Sequence, residues 1–316
     1  AASGYSVDRW FPQSTVSGTT VTAQQSAVAP EGFTNSLLLN VPTGATASAS
    51  QVYRLQHKIE GFNVADLNYG SANAKPITVS FWVRSSITGT YCFGLRNGSS
   101  NRGYATEYTI SSANTWEYKT ITIAGDITGT WLITNGLGLQ CVWDFGSGSA
   151  FDQSADSWAG TATWKTSNQT NLGGTSGATF YITGVQLEKG STATDFEYVD
   201  YSRQLQMCQR YFAKLQNDGA GGAISLAVGG QRDTTSSWLY VKHPVTMRSE
   251  PTVAISQTQL TDFSVYANAA TLTNTFAGFD TSTIYCSMTA AGAAYRSAGL
   301  QINNDTSGFL SLSSEL

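Results

Sequence analysis

The feature that most constrains the fold is a strict alternation of apolar and polar side chains between residues 77 and 84. One face of this run carries Ile77, Val79, Phe81 and Val83, and the other carries Thr78, Ser80, Trp82 and Arg84. Successive side chains of a β-strand point to opposite faces, so a period of two is typical of a strand with one buried side. The run therefore predicts a strand with Trp82 and Arg84 on the face away from the core.

Further strand-like runs follow at short intervals and are separated by Gly, Ser, Asn and Thr. They cover residues 116–123, 137–145 and 179–188. Regular short strands joined by turn-rich segments favour a sandwich or jelly roll. The segment 146–178 between two of them is long and carries Trp158 and Trp164, and loops of this kind are where binding surfaces are usually built.

Composition supports an all-β protein. Charged residues make up 12% of the 316 residues, about half the usual share.

Net charge is −4 and the 17 Lys and Arg residues are scattered, which argues against a nucleic-acid partner. The absence of a long apolar run argues against membrane insertion. The four cysteines lack the short paired spacing of a zinc site, and we expect all four to be reduced.

One segment breaks the β pattern. Apolar side chains recur in steps of four, three, four and three at Tyr201, Leu205, Cys208, Phe212 and Leu215. This spacing places them on one helical face, with Asp200 or Ser202 as the N-cap. Two heptads do not distinguish a trimer seam from a helix packed on one sheet. The sequence thus predicts three parts: a β domain at 1–199, a linking helix at 200–218 and a second β domain at 219–316.

Several phrases spread along the chain resemble bacteriophage tail-fibre and related virion proteins. The most specific is the run 182–197, which leads into Leu205 and the phrase 208–212. Asp195 is a departure, because a proline is frequent there in such proteins. Weaker matches are residues 4–10, 56–61, 81–84, 115–117, 247–253 and 314–316.

The resemblance implies an N-terminal jelly-roll β-sandwich like a carbohydrate-binding module, a short linking α-helix and a C-terminal β-sandwich. It also implies a homotrimeric virion appendage that is assembled in the host bacterial cytoplasm and contacts other virion proteins and a host surface glycan. It transfers no catalytic residue and no required cofactor. A structural Ca²⁺ is common in such jelly rolls, and Asp8, Glu188 and Asp195 are the candidate ligands. Because the chain begins at Ala1 without Met, we expect a processed end or a fragment.

Strand parity gives a candidate sugar-binding face. If Leu139, Cys141, Trp143 and Phe145 point inward, Gln140 and Asp144 point outward. Stacking a sugar needs an exposed ring with a few orienting polar groups. The predicted face comprises Trp82, Arg84, Gln140 and Asp144, with Trp158 and Trp164 on its loop. The alternative is that this face contacts a neighbouring subunit.

Two other functions stay open. One is a purely structural or capsid-decoration protein. The other is a polysaccharide depolymerase, for which Asp144, Asp152 and Asp156 are the candidate carboxylates because glycoside hydrolysis uses a pair. Turn-forming roles explain these three residues more simply. No G-x-S-x-G turn is present and the two histidines lie far apart in sequence, so no serine hydrolase is predicted.

Overall fold

A computed structural model describes residues 5, 9–217, 219, 223–261, 270–288, 296–303 and 305–316. The chain divides into two compact units, Ala1–Tyr198 with Leu316, and Val199–Glu315. Both are built almost entirely of antiparallel strands, which confirms the predicted all-β class.

The first unit is a jelly-roll sandwich of two sheets. The six-stranded sheet has the order β1-β4-β9-β6-β7-β10. Its strands are β1 (Trp10–Ser14), β4 (Tyr53–Glu60), β6 (Gly89–Asn97), β7 (Gly103–Ile110), β9 (Leu137–Asp144) and β10 (Ser157–Ala159). The five-stranded sheet has the order β2-β3-β11-β5-β8. Its strands are β2 (Thr20–Ser26), β3 (Ser36–Thr43), β5 (Ile77–Ser85), β8 (Glu117–Ile123) and β11 (Ala178–Lys189). Short 3-10 turns lie at Gly61–Asn63, Ala65–Leu67 and Ser149–Phe151.

The core of this unit lies between the two inner faces, as the alternation predicted. Phe81 and Val83 of β5 are fully buried, and so are Leu139 and Trp143 of β9. Aromatic rings fill the centre, where Trp143 lies 4.9 Å from Phe93 and 5.6 Å from Phe81 between ring centroids. Because each sheet turns one face to this core, the unit has two separate outer faces.

The segment after β11 covers part of one outer face. Thr78 Oγ1 of β5 donates to the Gly190 carbonyl at 2.9 Å, and Thr122 Oγ1 of β8 donates to the Ser191 carbonyl at 3.2 Å. Thr78 is therefore buried although it points away from the core. Farther along β5, beyond this segment, Trp82 and Arg84 stay partly exposed.

The second unit is also a sandwich. Its three-stranded sheet has the order β12-β20-β15, and its six-stranded sheet has the order β16-β19-β13-β14-β18-β17. The strands are β12 (Phe212–Gln216), β13 (Ala223–Gln231), β14 (Ser236–Lys242), β15 (Thr252–Ser256), β16 (Gln259–Thr261), β17 (Thr271–Ala277), β18 (Thr281–Ser287), β19 (Ser297–Asn303) and β20 (Phe309–Ser313). Leu239, Ile284, Leu300 and Leu312 lie in its fully buried core.

The helix is shorter than the sequence predicted. Helix α1 spans Tyr201–Gln209, and Asp200 caps it by accepting from the Ser202 backbone N–H at 2.9 Å. Phe212 and Leu215 were expected on the same helical face but lie on β12, which pairs with β20. The prediction of a helix to residue 218 is therefore wrong, because the pairing of 212–216 with β20 replaces the helical hydrogen bonds. The described part of the chain contains no helix long and apolar enough to span a bilayer.

Candidate functional site

The predicted face divides between the two outer faces of the first unit. Trp82 and Arg84 lie on β5 of the five-stranded sheet, whereas Gln140 and Asp144 lie on β9 of the six-stranded sheet. The sheets pack through their inner faces, so these two pairs point in opposite directions away from the core. The single face assembled from strand parity is therefore wrong, although the parity of each strand is correct.

The outer face of the six-stranded sheet is closed around Asp144. Trp164 lies over it, 2% exposed, and its indole Nε1–H donates to Asp144 Oδ2 at 2.8 Å. The Trp164 ring stacks on Phe151 with centroids 4.1 Å apart. The guanidinium carbons of Arg54 and Arg96 lie 4.4 and 4.8 Å from its centroid. Asp144 and Trp164 thus belong to a buried structural cluster and are not available to an external ligand.

Glycines allow this close cover. A Cβ added at Gly94 of β6 would lie 2.5 Å from Trp164 Cβ, and one at Gly103 of β7 would lie 2.2 Å from the Thr163 carbonyl oxygen. The segment 161–166 therefore rests directly on the backbone of the sheet. Burial under this segment lowers the pKa of Arg54 to about 9 and that of Arg96 to about 10.

The other two predicted residues are also structural. Gln140, 5% exposed, donates its amide to Gln56 Oε1 within the six-stranded sheet. Trp158 lies on the edge strand β10, where its Nε1–H donates to the Ala124 carbonyl at 2.8 Å and its ring packs against Tyr104 at 5.1 Å. Neither lies on the same face as Trp82.

The outer face of the five-stranded sheet carries a partly exposed group of aromatic side chains. Trp82 of β5 pairs with Tyr118 of β8, and their ring centroids are 5.3 Å apart. Tyr181 of β11 pairs with Arg84, whose guanidinium carbon lies 5.0 Å from the tyrosine ring. Trp116 lies just before β8, with its ring 6.1 Å from Tyr181. We call these five residues, Trp82, Arg84, Trp116, Tyr118 and Tyr181, the aromatic platform.

The platform is held in place by its strands and by a backbone contact. Arg84 Nε donates to the Asn114 carbonyl at 2.8 Å, which fixes the guanidinium beside Tyr181. Asn114 itself has a left-handed φ of 55°, a conformation that asparagine tolerates better than most residues. Tyr118 is 45% exposed, and the other four platform residues are partly exposed. The rings are therefore both preorganised and accessible.

Three platform residues were missed by the sequence reasoning, although the same parity argument reaches them. Phe180 and Ile182 are buried core residues on β11, so Tyr181 between them must point outward. Trp116 and Tyr118 lie two positions apart and so share one face, and Tyr118 pairs with Trp82. The sequence shows the alternation but not which strands are adjacent.

A cavity of about 390 Å³ lies between the two sheets, and its lining includes Trp10, His57, Cys141, Trp143 and Ile182. Among the described residues, the indole Nε1–H of the fully buried Trp143 has no hydrogen-bond partner. Burial raises the pKa of Cys141 to about 12, so its thiol stays protonated.

The carboxylates considered for catalysis all have structural contacts. Asp144 accepts backbone N–H groups of Gly146 and Ser147 at 2.8 and 2.9 Å, in addition to Trp164. Asp152 pairs with Lys165, and Asp156 Oδ1 accepts from Thr106 Oγ1 at 2.6 Å. These are the turn and loop contacts that the simpler interpretation of the sequence predicted.

Two of the three suggested calcium ligands, Glu188 and Asp195, take part in hydrogen bonds of the segment after β11. Glu188 accepts the Thr194 backbone N–H at 3.0 Å, and the Asp195 carbonyl oxygen accepts from the Gln186 amide at 3.2 Å. Asp8 lies outside the described residues. Across the described ranges, no three His, Cys, Asp or Glu side chains are grouped so as to hold a metal ion. Calcium binding stays an untested prediction.

Comparisons with known proteins concern the fold. No family model matches the chain, and no curated protein matches it. Similar solved structures include a family 11 carbohydrate-binding module from Clostridium thermocellum, with a TM-score of 0.32 and 11% identity over 60% of this chain and 93% of that one. A structure described as CBM4 gives a TM-score of 0.34 and 13% identity over 58% and 87%. The enzymatically active domain of tailspike protein 4 of bacteriophage CBA120 gives 0.33 and 14% over 58% and 20%. At identities and TM-scores this low, similarity to these structures assigns no function to this chain.

Proposed function

We propose that this chain is a non-catalytic glycan-binding protein and that the aromatic platform is its binding face. The observation that carries the proposal is the set of four partly exposed rings, Trp82, Trp116, Tyr118 and Tyr181, on one outer sheet face beside Arg84. The apolar faces of sugar rings stack on such side chains, and the arginine and nearby backbone groups orient the hydroxyls.

The proposal extends to a biological setting through the sequence resemblance. In that setting the chain is a subunit of a phage tail fibre or another virion appendage, acts as a homotrimer with other virion proteins and attaches to a glycan on the host surface. The low density of charge supports the same view, because a surface of small polar residues and aromatics suits uncharged polysaccharide better than nucleic acid.

Binding of the full chain to purified capsular polysaccharides and lipopolysaccharide glycans from a panel of bacteria tests the proposal. For any glycan that binds, Trp82→Ala and Tyr118→Ala should each weaken the affinity at least about tenfold, equivalent to about 1.4 kcal/mol. The matched control is Phe62→Ala, since Phe62 is 58% exposed on the same unit but lies outside the platform.

Two outcomes would contradict parts of this proposal. Unchanged affinity in both platform variants would place the binding site elsewhere. Release of oligosaccharides from a bound polysaccharide would show catalysis and replace the non-catalytic role with depolymerase activity. The mass of the assembly in solution tests the homotrimer separately.

A further inference from the structure

The second unit has its own exposed aromatic face, which the glycan proposal does not use. It lies on the outer side of the six-stranded sheet, where Trp238 and Tyr240 alternate with the buried Leu239 and Val241 of β14. Neighbouring strands extend it, and we call the following five residues the β14 face: Val228, Trp238, Tyr240, Phe276 and Tyr285.

The side chains of the β14 face are in contact with one another. Tyr285 of β18 lies 5.1 Å from Trp238 and 5.5 Å from Phe276 between ring centroids, with edge-to-face geometry in both pairs. Val228 is opposite Tyr240 in the pairing of β13 with β14. The five side chains therefore form one continuous apolar surface across four strands.

The side chains of the β14 face are mainly apolar, yet four of them are more than two fifths exposed. Val228 is 58% exposed, Tyr240 59%, Phe276 60% and Trp238 41%. Three aromatic rings at these fractions leave about 100 Å² each accessible, or roughly 300 Å² together. A stable interface buries about 800 Å² per partner, of which these three rings would supply roughly 300 Å² as an apolar centre, with the surrounding residues supplying the rest.

The charges around the face favour an apolar partner. In the four strands β13, β14, β17 and β18, all of which the structure describes, Lys242 is the only charged residue. Arg232 stands at the opposite end, its guanidinium carbon 5.9 Å from the Trp238 ring. Depletion of charge with enrichment of aromatics is the composition of an interface core, and the two positive charges lie only at the ends of the face.

We propose that the β14 face is a self-association surface whose partner is the same face, or a neighbouring part of it, on a second copy of this chain. Two such sheet faces can stack about 10 Å apart, as paired sheets do inside a sandwich. Helix α1 ends at Gln209 and keeps only Tyr201, Leu205 and Cys208 of the predicted helical seam, whereas the β14 face spans four strands. The inference rests on the proposed assembly of several copies but is independent of glycan binding.

Sedimentation velocity of the full chain over a range from about 1 to 100 µM tests this surface. Tyr240→Lys and Phe276→Lys should each shift the assembly to the single-chain mass, because each places a charge in an apolar contact. The two side chains are exposed, so folding is expected to survive, and circular dichroism and the melting temperature check this. Raising the salt concentration should leave the wild-type assembly intact, since screening acts on charge pairs and not on apolar burial.

The matched control is Tyr201→Lys on α1, where Tyr201 is 75% exposed. Dissociation by Tyr201→Lys with an intact assembly in Tyr240→Lys would place the contact on the helix and overturn the proposal. A single-chain mass for the folded wild type across the whole range would also overturn it. Trp82→Ala should leave the mass unchanged, so loss of glycan binding and loss of assembly are distinguishable. If Tyr240→Lys and Phe276→Lys instead reduce glycan binding with no change in mass, the β14 face is a second sugar site.

Discussion

Trp164 donates its indole N–H to the Asp144 carboxylate at 2.8 Å and thereby closes the outer face of the six-stranded sheet. This contact removes Asp144 and Trp164 from the surface that a ligand could reach. A tryptophan that looked like a loop residue available for stacking is instead part of the fold. The proposed glycan binding therefore uses the other outer face, where Trp82 and Tyr118 are accessible.

Removing the Trp164 ring should strongly destabilise the first unit. Trp164→Ala leaves a cavity between Phe151 and the two arginines, and such substitutions cost about 3–5 kcal/mol. Trp164→Phe keeps most of the packing but removes one donor to Asp144, so about 1–3 kcal/mol is expected. Urea unfolding followed by near-ultraviolet circular dichroism measures both. The partly exposed Trp116→Phe is the control, and an equal loss there would contradict the special role of Trp164.

Gly94 should resist even the smallest side chain. A Cβ at this position would lie 2.5 Å from both Cβ and the carbonyl oxygen of Trp164, so Gly94→Ala should cost about 1–3 kcal/mol through overpacking. Gly160→Ala is the matched control, because the nearest atom to its added Cβ is Arg102 Nη1 at 3.8 Å. Its free energy of unfolding should stay the same or rise by up to about 1 kcal/mol. If Gly94→Ala unfolds like the wild type, the segment 161–166 does not rest on the sheet.

The sequence predicted which side chains of each strand point inward. It did not predict which strands are adjacent or which segments lie over each outer face. Alternation correctly put Phe81 and Trp143 in the core and Trp82 and Asp144 on outer sides. The alternation does not show which of the two sheets a strand joins, so it cannot assign a residue to one of the two outer faces. It also does not show what covers a face: Asp144 is fully buried although it points away from the core. Gly94 in the middle of β6 and Gly103 at the start of β7 are available signals of a close backbone approach.

The end of the helix shows a second limit of pattern reasoning. Steps of four and three residues continue from Tyr201 to Leu215, yet the chain leaves the helix after Gln209. In β12, Ala213 is buried and Phe212 is 44% exposed, so the strand places its small residue inward. The pairing of β12 with β20, near the end of the chain, determines where the helix ends, and no local sequence pattern indicates that pairing.

The turn between β13 and β14 should depend on pH at strongly acidic values. Asp233 accepts from the Ser236 hydroxyl and from the backbone N–H groups of Thr235 and Ser236, at 2.8 and 2.7 Å for the latter two. These hydrogen bonds, that of the Ser236 hydroxyl first, lower its pKa from 3.8 to about 2. A lowered pKa in the folded state means that the stabilisation is present above about pH 3.8 and is lost as the pH falls through about 2.

A carboxyl-carbon NMR titration measures this value directly. The Asp233 signal should have its midpoint near 2, and Asp233→Asn should remove it while loosening the turn. A midpoint at the ordinary value of 3.8 would mean that the Asp233 hydrogen bonds do not persist in solution.

Arg84 should contribute to saccharide binding through its position beside Tyr181. The guanidinium is fixed by the Asn114 carbonyl at 2.8 Å and lies 5.0 Å from the tyrosine ring. Arg84→Ala should weaken binding of a neutral glycan by about two- to fivefold, as expected for a partly exposed cation–π contact of about 0.5–1 kcal/mol. Arg84→Lys should restore only part of this, because lysine lacks the planar fork that spans both contacts.

Calorimetric titration at low and high salt separates the two ways in which Arg84 can act. With a neutral glycan, the loss of affinity caused by Arg84→Ala should be the same at both salt concentrations, because the arginine orients the platform and does not pair with a ligand charge. With an acidic glycan the loss should be larger at low salt and shrink as salt screens the charge. Lys75→Ala, which removes an equal charge from an exposed position outside the platform, is the control. Equal effects of Lys75→Ala and Arg84→Ala would show that only net charge matters and that Arg84 has no place in the binding face.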